Sequence, residues 1–156
     1  MASALPPFPR VVFTILEPIS LIGGFLGAVY SPDWFIAEQI PSAVQVPASD
    51  NSRLITLQLG NLYLLLCMVG VGVLSATTEI KVVRNYLCAL WIADIGHIAL
   101  TWYALGNGYF MDVSKWNAMT WGNIGATAFL FMTRTAYFLG IFGAGEAGSP
   151  LSKKLN

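Results

Sequence analysis

The fold is decided by residues 82–105, whose sequence is VVRNYLCALWIADIGHIALTWYAL. This stretch is long and apolar enough to cross a bilayer as an α-helix, which needs about 20 mostly apolar residues. Three further stretches have the same character, at about 11–30, 54–77 and 119–142. The sequence therefore predicts an all-α integral membrane protein, a four-helix bundle that forms one transmembrane domain over residues 1–156.

The composition supports this prediction. Hydrophobic residues make up 56 % of the chain and charged residues only 10 %, whereas soluble domains carry about 25 % charged residues. The formal net charge of zero gives no basic surface for nucleic acid. One histidine and two dispersed cysteines cannot build a common zinc site, and no phosphate-binding loop is present. We therefore expect no metal, no cofactor and no nucleic-acid partner.

A long connection, residues 31–53, separates the first two predicted spans. It contains three prolines and is long for a loop. We expect it to lie at the luminal membrane surface, with a short helix from Asp33 to Ile40 over the mouth of the bundle. The link between the second and third spans is short, which predicts that these spans are antiparallel neighbours.

The distribution of basic residues predicts the orientation. The side that holds both termini carries five basic residues, namely Arg10, Lys81, Arg84, Lys153 and Lys154. The other side carries two, Arg53 and Lys115. This difference favours cytosolic termini. The tail 144–156 ends in Lys153-Lys154-Leu155-Asn156, which has the form of a dilysine signal for retrieval to the endoplasmic reticulum. A merely basic tail is the alternative. We expect a location in the endoplasmic-reticulum membrane.

Ionisable side chains inside the predicted spans indicate function, because each costs roughly 2.5–3.5 kcal/mol on insertion scales. Polar residues on spans two, three and four repeat at intervals of three, four or seven, so that each helix has one polar face. Lipid offers no hydrogen-bond partners, so we expect these faces to turn inward and form a pocket. The residues concerned are Glu17, Gln58, Asn61, Asp94, His97, Thr101, Asn123, Thr127 and Arg134.

Depth in the membrane suggests which of these residues meet. Counted from the predicted span ends, Glu17 and Arg134 differ in depth by only ~3 Å, so we expect an ion pair, either structural or catalytic. Asp94 and His97 lie one helical turn apart near the middle of the third span. We expect them to be an unpaired carboxylate and imidazole that transfer protons to and from a substrate.

This chemistry suits acid/base isomerisation or cyclisation of an isoprenoid- or sterol-like lipid. Asp94, His97 and Glu17 are the candidate catalytic residues. Indole rings could shelter a carbocation, and polar amides could orient the substrate. The candidate substrate-binding residues are Gln58, Asn61, Trp91, Trp121 and Asn123. Trp102 is a third indole that could shelter the carbocation. Polar residues also join membrane helices without any chemical role, which is the alternative for Gln58, Asn61 and Thr127.

Several motifs resemble a known family. They are Glu17-Pro18, Gln58-x-x-Asn61-Leu62-Tyr63, Ala93-Asp94-Ile95-Gly96-His97, Trp116-Asn117 and Trp121-Gly122-Asn123. From about Pro9 to Gly143 the chain resembles a family of small fungal membrane proteins, a domain of unknown function. In architecture it is also remotely similar to the emopamil-binding (EXPERA) fold, which includes a sterol isomerase and a sterol-binding receptor. This similarity implies isoprenoid or sterol chemistry.

Three functions follow from these expectations. The first is an isomerase or cyclase that acts on a lipid-soluble small molecule. The second is a lipid- or sterol-binding protein without enzymatic activity. The third is an accessory subunit of a larger membrane enzyme, and such a subunit would present its polar faces outward to a partner. Beyond the membrane and the lipid, a homodimer or an association with other membrane enzymes is the expected kind of partner.

Overall fold

The computed structural model describes residues 5–41 and 46–143, and all regular structure within these ranges is helical. Three helices are long and apolar enough to cross a membrane: Pro7–Tyr30, Asp50–Ala76 and Ile80–Leu105. The predicted all-helical, membrane-compatible chain is thus confirmed. The helices are α1 (Pro7–Tyr30), α2 (Pro32–Ala37), α3 (Asp50–Ala76), α4 (Ile80–Leu105), α5 (Asn107–Phe110) and α6 (118–138), with a 3₁₀ turn at Val113–Lys115.

The last helix, α6, differs from the other three long helices. It ends at Phe138, ahead of Gly140, whose positive φ of 73° turns the chain away from the helix. Its sequence includes four threonines, Asn123 and Arg134, and these polar residues lower its mean hydropathy. The structure therefore gives three candidate spans, and a fourth crossing by residues 119–142 stays a prediction.

Helix α1 packs closely on α3 because small residues let the two backbones approach. A Cβ atom added at Gly60 would lie 3.0 Å from the Cβ of Ala28 and 3.0 Å from Cγ2 of Val29. Farther along the same contact, the ring of Tyr63 lies over Gly24. These contacts run in opposite directions along the two helices, so α1 and α3 are antiparallel.

Helix α4 packs on α6 through aromatic side chains. The indole of Trp91 stacks on Phe131, with ring centroids 5.5 Å apart, and its Nε1 donates a hydrogen bond to Oγ1 of Thr135 at 2.9 Å. The expected neighbours α3 and α4 meet near their short link, where the hydroxyl of Tyr86 faces Gly70. The more extensive packing is that of α1 on α3 and of α4 on α6.

The main apolar core lies at one end of the molecule, which we call the terminal end. It is the end where α1 begins, α3 ends, α4 begins and α6 ends. Leu5, just before α1, and side chains from all four of these helices meet there: Val12, Phe13, Leu74, Val83 and Leu87, packed against Tyr86, Leu130, Tyr137 and Phe138. The opposite end, which carries α2 and α5, is called the loop end. Many large apolar side chains elsewhere are exposed, as lipid-facing surfaces require.

The connection between α1 and α3 contains the expected short helix, α2, which is confirmed at Pro32–Ala37. Asp33 of α2 accepts a hydrogen bond of 2.7 Å from Nε of Arg53 at the start of α3. This bond lowers the pKa of Asp33. Residues 42–45 of the connection and the tail 144–156, with Lys153 and Lys154, lie outside the described residues. The luminal position of the connection stays a prediction.

Candidate functional site

Arg134 is the centre of a buried ion cluster between three helices. Its side chain is fully buried, and Nη1 donates a 2.5 Å hydrogen bond to Oδ2 of Asp94 on α4. Its other terminal nitrogen, Nη2, donates to Oε1 of Glu17 on α1. We call Glu17, Asp94 and Arg134 the ion triad. One guanidinium thus joins α1, α4 and α6 at a single point.

Local helix geometry places Glu17 in this cluster. Residues Val12–Leu16 form a π-helical turn immediately before Glu17 and Pro18. Proline has no N–H and its ring clashes with the carbonyl four residues earlier in a regular helix. The wider turn relieves this conflict, and such turns are frequent at functional sites. Phe13, within the turn, lies over the guanidinium of Arg134, with 5.2 Å between Cζ and the ring centroid.

The charges of the ion triad do not balance when both carboxyl groups are ionised. Two carboxylates and one guanidinium then carry a net charge of −1. A single proton shared between Glu17 and Asp94 makes the cluster neutral, which is the favourable condition in a medium of low dielectric constant. Both carboxylate side chains are 12 % exposed, whereas that of Arg134 is 0 % exposed. The arrangement can therefore hold one proton on an oxygen that is still partly accessible.

This geometry corrects the expectation that Asp94 is unpaired. Asp94 is bound to Arg134, so the triad contains the expected contact of Glu17 with Arg134 and a second carboxylate. The depth count from sequence placed Arg134 beside Glu17 but missed its contact with Asp94, because the helices do not end in one plane. Glu17 lies ten residues from the start of α1, Asp94 fourteen from the start of α4 and Arg134 four from the end of α6.

His97 lies one turn beyond Asp94 on α4, toward the loop end. Its Nε2 atom is buried and has no hydrogen-bond partner within the described ranges 5–41 and 46–143. Asn123, which falls in a second π-helical segment at Trp121–Ala126, lies beside His97. Asn123 also donates a 2.9 Å hydrogen bond to Oε1 of Gln39. Polar groups thus lead from the ion triad through His97 and Asn123 to the connection that follows α2.

Sequence reasoning missed Gln39 and its neighbour Glu38 as members of this region. Nδ2 of Asn117, which caps the start of α6, donates to the backbone oxygen of Glu38 at 3.0 Å and to its carboxylate at 2.5 Å. Both residues lie outside the long helices, so helical periodicity could not identify them. The available signal was a pair of adjacent polar residues between the apolar residues of α2 and Ile40.

The expected inward position of Gln58 and Asn61 is wrong. Both side chains are exposed on α3, on a face turned away from the rest of the chain. The reason is that α3 uses another face, with Gly60 and Cys67, to contact α1. Successive residues of a helix are about 100° apart around its axis, so the side chain of Asn61 points in a different direction from Gly60. Two amides therefore face outward from a helix that is apolar enough to span a membrane.

The three indoles that could shelter a carbocation, those of Trp91, Trp102 and Trp121, lie at different places in the structure. Trp102 is 49 % exposed and Trp121 is 51 % exposed, and the ring of Trp121 packs on Gly125 and on Trp116. Trp91 is held by Thr135 and Phe131 at the contact of α4 with α6. The aromatic ring that lies over the buried cation is that of Phe13.

Comparison with protein-family models gives one match, described as "Domain of unknown function (DUF7704)", over residues 2–144. The chain belongs to the DUF7704 family. The expected membership in a family of unknown function is thereby confirmed. No curated protein and no solved structure matches the chain. The DUF7704 match includes every member of the ion triad together with His97 and Asn123, but it assigns them no role.

Proposed function

We propose that this chain is a multi-pass membrane protein of the endoplasmic reticulum that catalyses acid/base isomerisation or cyclisation of an isoprenoid- or sterol-like lipid. The observation that carries the proposal is the ion triad, in which two carboxyl groups share one buried guanidinium. No metal or nucleotide cofactor is part of the scheme. The distribution of Lys and Arg supports cytosolic termini, which belong to the same proposal.

In the proposed reaction, the carboxyl group of Asp94 donates a proton to an alkene or an epoxide of the lipid. A carbocation and the carboxylate of Asp94 result, and Arg134 stabilises the new negative charge. Removal of a proton from a neighbouring carbon, by Asp94 or by Nε2 of His97, forms the new double bond. A proton passed between His97 and Asp94 restores the starting state. The substrate and product then have the same composition, as an isomerisation requires.

Three features support this scheme. The carboxylates of the ion triad are partly exposed, so a substrate can reach them. Nε2 of His97 is a buried nitrogen that makes no hydrogen bond in the described part of the chain. A lipid environment also excludes the water that would quench a carbocation.

The test is reconstitution of the purified protein with candidate isoprenoid and sterol lipids, followed by analysis of extracts for isomerised or cyclised product. Asp94→Asn keeps the shape of the side chain and removes the acid, so turnover should fall by about 10²–10⁴-fold. Asp112→Asn, a change outside the long helices, is the matched control and should keep full turnover. Full turnover by a folded Asp94→Asn protein would contradict the assigned role.

A non-enzymatic lipid- or sterol-binding protein is distinguished by the same experiment. In that case neither wild type nor Asp94→Asn forms product, and the substitution changes only the affinity for the lipid. Binding of a radiolabelled sterol or isoprenoid without any product, at protein concentrations above that of the lipid, would establish this function instead.

A second candidate function, that of a subunit of a larger membrane assembly, is favoured by the outward position of Gln58 and Asn61. An amide that faces lipid is unsatisfied, and hydrogen bonds between membrane helices are worth about 1–2 kcal/mol in model peptides. Cross-linking of intact membranes, followed by identification of the partner, tests it. A partner that is lost in Gln58→Leu/Asn61→Leu, and retained in the exposed apolar control Leu65→Ala, would support this function.

A further inference from the structure

A groove with one charged end runs along the contact of α4 with α6. At the terminal end it encloses about 450 Å³ and is lined by Arg84, Asn85, Cys88 and Trp91 of α4, facing Thr135 and Phe138 of α6. The Arg84 end is polar, and the deeper part is formed by the apolar and aromatic residues. The groove is therefore complementary to a lipid: its charged end suits a head group and its apolar part suits an acyl chain.

The positive charge of Arg84 is not paired with a carboxylate in the part of the chain that the structure describes. Arg84 is exposed in the second turn of α4 and forms no ion pair within residues 5–41 and 46–143. Lys81, nearly one turn earlier, is also exposed. By contrast, Arg53 forms an ion pair with Asp33 and Arg134 forms one with Glu17. A free guanidinium at the membrane surface favours an anionic head group.

The apolar part of the groove has a suitable length. From Arg84 to Trp91 the helix rises by about 10 Å, and Trp91 stacks on Phe131 at the far end. Beyond this pair, a second groove of about 420 Å³ lies on the same face of α4, at Ile95, Ile98 and Trp102. One leaflet of the hydrocarbon core is about 15 Å thick, so the two grooves together can accommodate an acyl chain of ordinary length.

We propose that the groove between α4 and α6 binds one anionic phospholipid, with its phosphate on Arg84 and one acyl chain along Cys88 and Trp91. Asn85 supplies an amide that can donate to the same phosphate. The site does not depend on the chemistry of the ion triad, because Asp94 is bound on a different side by Arg134. It would therefore remain even if the protein proved not to be an enzyme.

Native mass spectrometry of the purified protein tests the proposal with phosphatidylserine and phosphatidylcholine as probes. A basic residue near the membrane surface contributes about 1 kcal/mol toward anionic lipid, which is about a fivefold change in affinity. Wild type should retain phosphatidylserine in preference to phosphatidylcholine, and Arg84→Gln should lose about fivefold of that preference. Lys115→Gln, an exposed lysine at the loop end, is the matched control and should retain it.

The reactivity of Cys88 locates the lipid. Cys88 is an exposed thiol within the groove, whereas Cys67 is buried between α1 and α3. In nanodiscs, replacing part of the phosphatidylcholine with phosphatidylserine should slow the labelling of Cys88 by N-ethylmaleimide in wild type and not in Arg84→Gln. An equal loss of lipid preference in Arg84→Gln and Lys115→Gln, or unchanged labelling in wild type, would overturn the proposal.

Discussion

The ion triad makes a prediction that a simple ion pair does not. Glu17→Gln removes one charge but keeps an oxygen that can accept from Arg134, and Asp94 remains to balance the guanidinium. The same holds for Asp94→Asn, with Glu17 as the remaining partner. Each single substitution should therefore lower the free energy of unfolding by only about 1 kcal/mol, the typical net contribution of one hydrogen bond.

The double substitution Glu17→Gln/Asp94→Asn is different because it leaves Arg134 buried without a carboxylate. A stranded buried charge costs roughly 3–5 kcal/mol, so the loss should exceed the sum of the two single losses. Replacing Arg134 with methionine in the double variant removes the stranded charge and should restore much of the stability. Unfolding of the detergent-solubilised protein by increasing SDS, followed by circular dichroism, measures these differences.

Additive losses would show that Glu17 and Asp94 act independently. Independent sites add within about 0.3–0.5 kcal/mol. If the loss in the double variant equals the sum of the single losses within that margin, the two carboxyl groups do not share one guanidinium. If either single substitution alone costs as much as the double one, Arg134 depends on one carboxylate only.

Three further predictions concern packing, pH and topology. Gly60→Val should cost about 1–3 kcal/mol of stability, because a side chain there meets α1, whereas Gly72→Val, where a Cβ meets open space, should be nearly neutral in the same SDS titration. Arg53 lowers the pKa of Asp33, so the ionised Asp33 stabilises the folded protein. This stabilisation is fully present above the unfolded-state pKa of about 3.9 and is lost as the pH falls through the folded-state pKa. The melting temperatures of wild type and Asp33→Asn should therefore differ at pH 6 and converge only when the pH is below the lowered folded pKa of Asp33, and a difference that persists there would contradict the assignment. A tag at the C-terminus should be digested by protease added to sealed microsomes, and a protected tag would contradict the cytosolic termini.

The long helices could be predicted from sequence because their signal is local. A run of about 20 apolar residues identified α1, α3 and α4 to within a few residues. The end of α6 was predicted too late, at residue 142, because Phe142 and Ile141 continue the apolar run past Gly140. A glycine with positive φ ends the helix, and hydropathy alone carries no such information.

The direction of each polar face could not be predicted. Gln58 and Asn61 were expected to face inward because lipid offers no hydrogen bonds. The packing of α3 is set instead by Gly60, where the backbones of α1 and α3 come close together. The third member of the ion triad was missed for a related reason. Depth counted from helix ends assumes that all ends lie in one plane, and the long side chain of Arg134 reaches across the remaining difference to Asp94.

The central claim, proton donation from Asp94 to a lipid, is tested most directly by turnover of an alkene substrate in D₂O. A deuteron placed on carbon is retained in the product, whereas one placed on an epoxide oxygen exchanges with water. The carboxyl group exchanges its proton with the solvent, so the reconstituted protein should transfer one deuterium to each product molecule. Wild type should then yield an isoprenoid or sterol product one mass unit heavier than the substrate, and Asp94→Asn should yield about 10²–10⁴-fold less of it. A product formed without deuterium, or labelled product formed at the wild-type rate by Asp94→Asn, would contradict the claim.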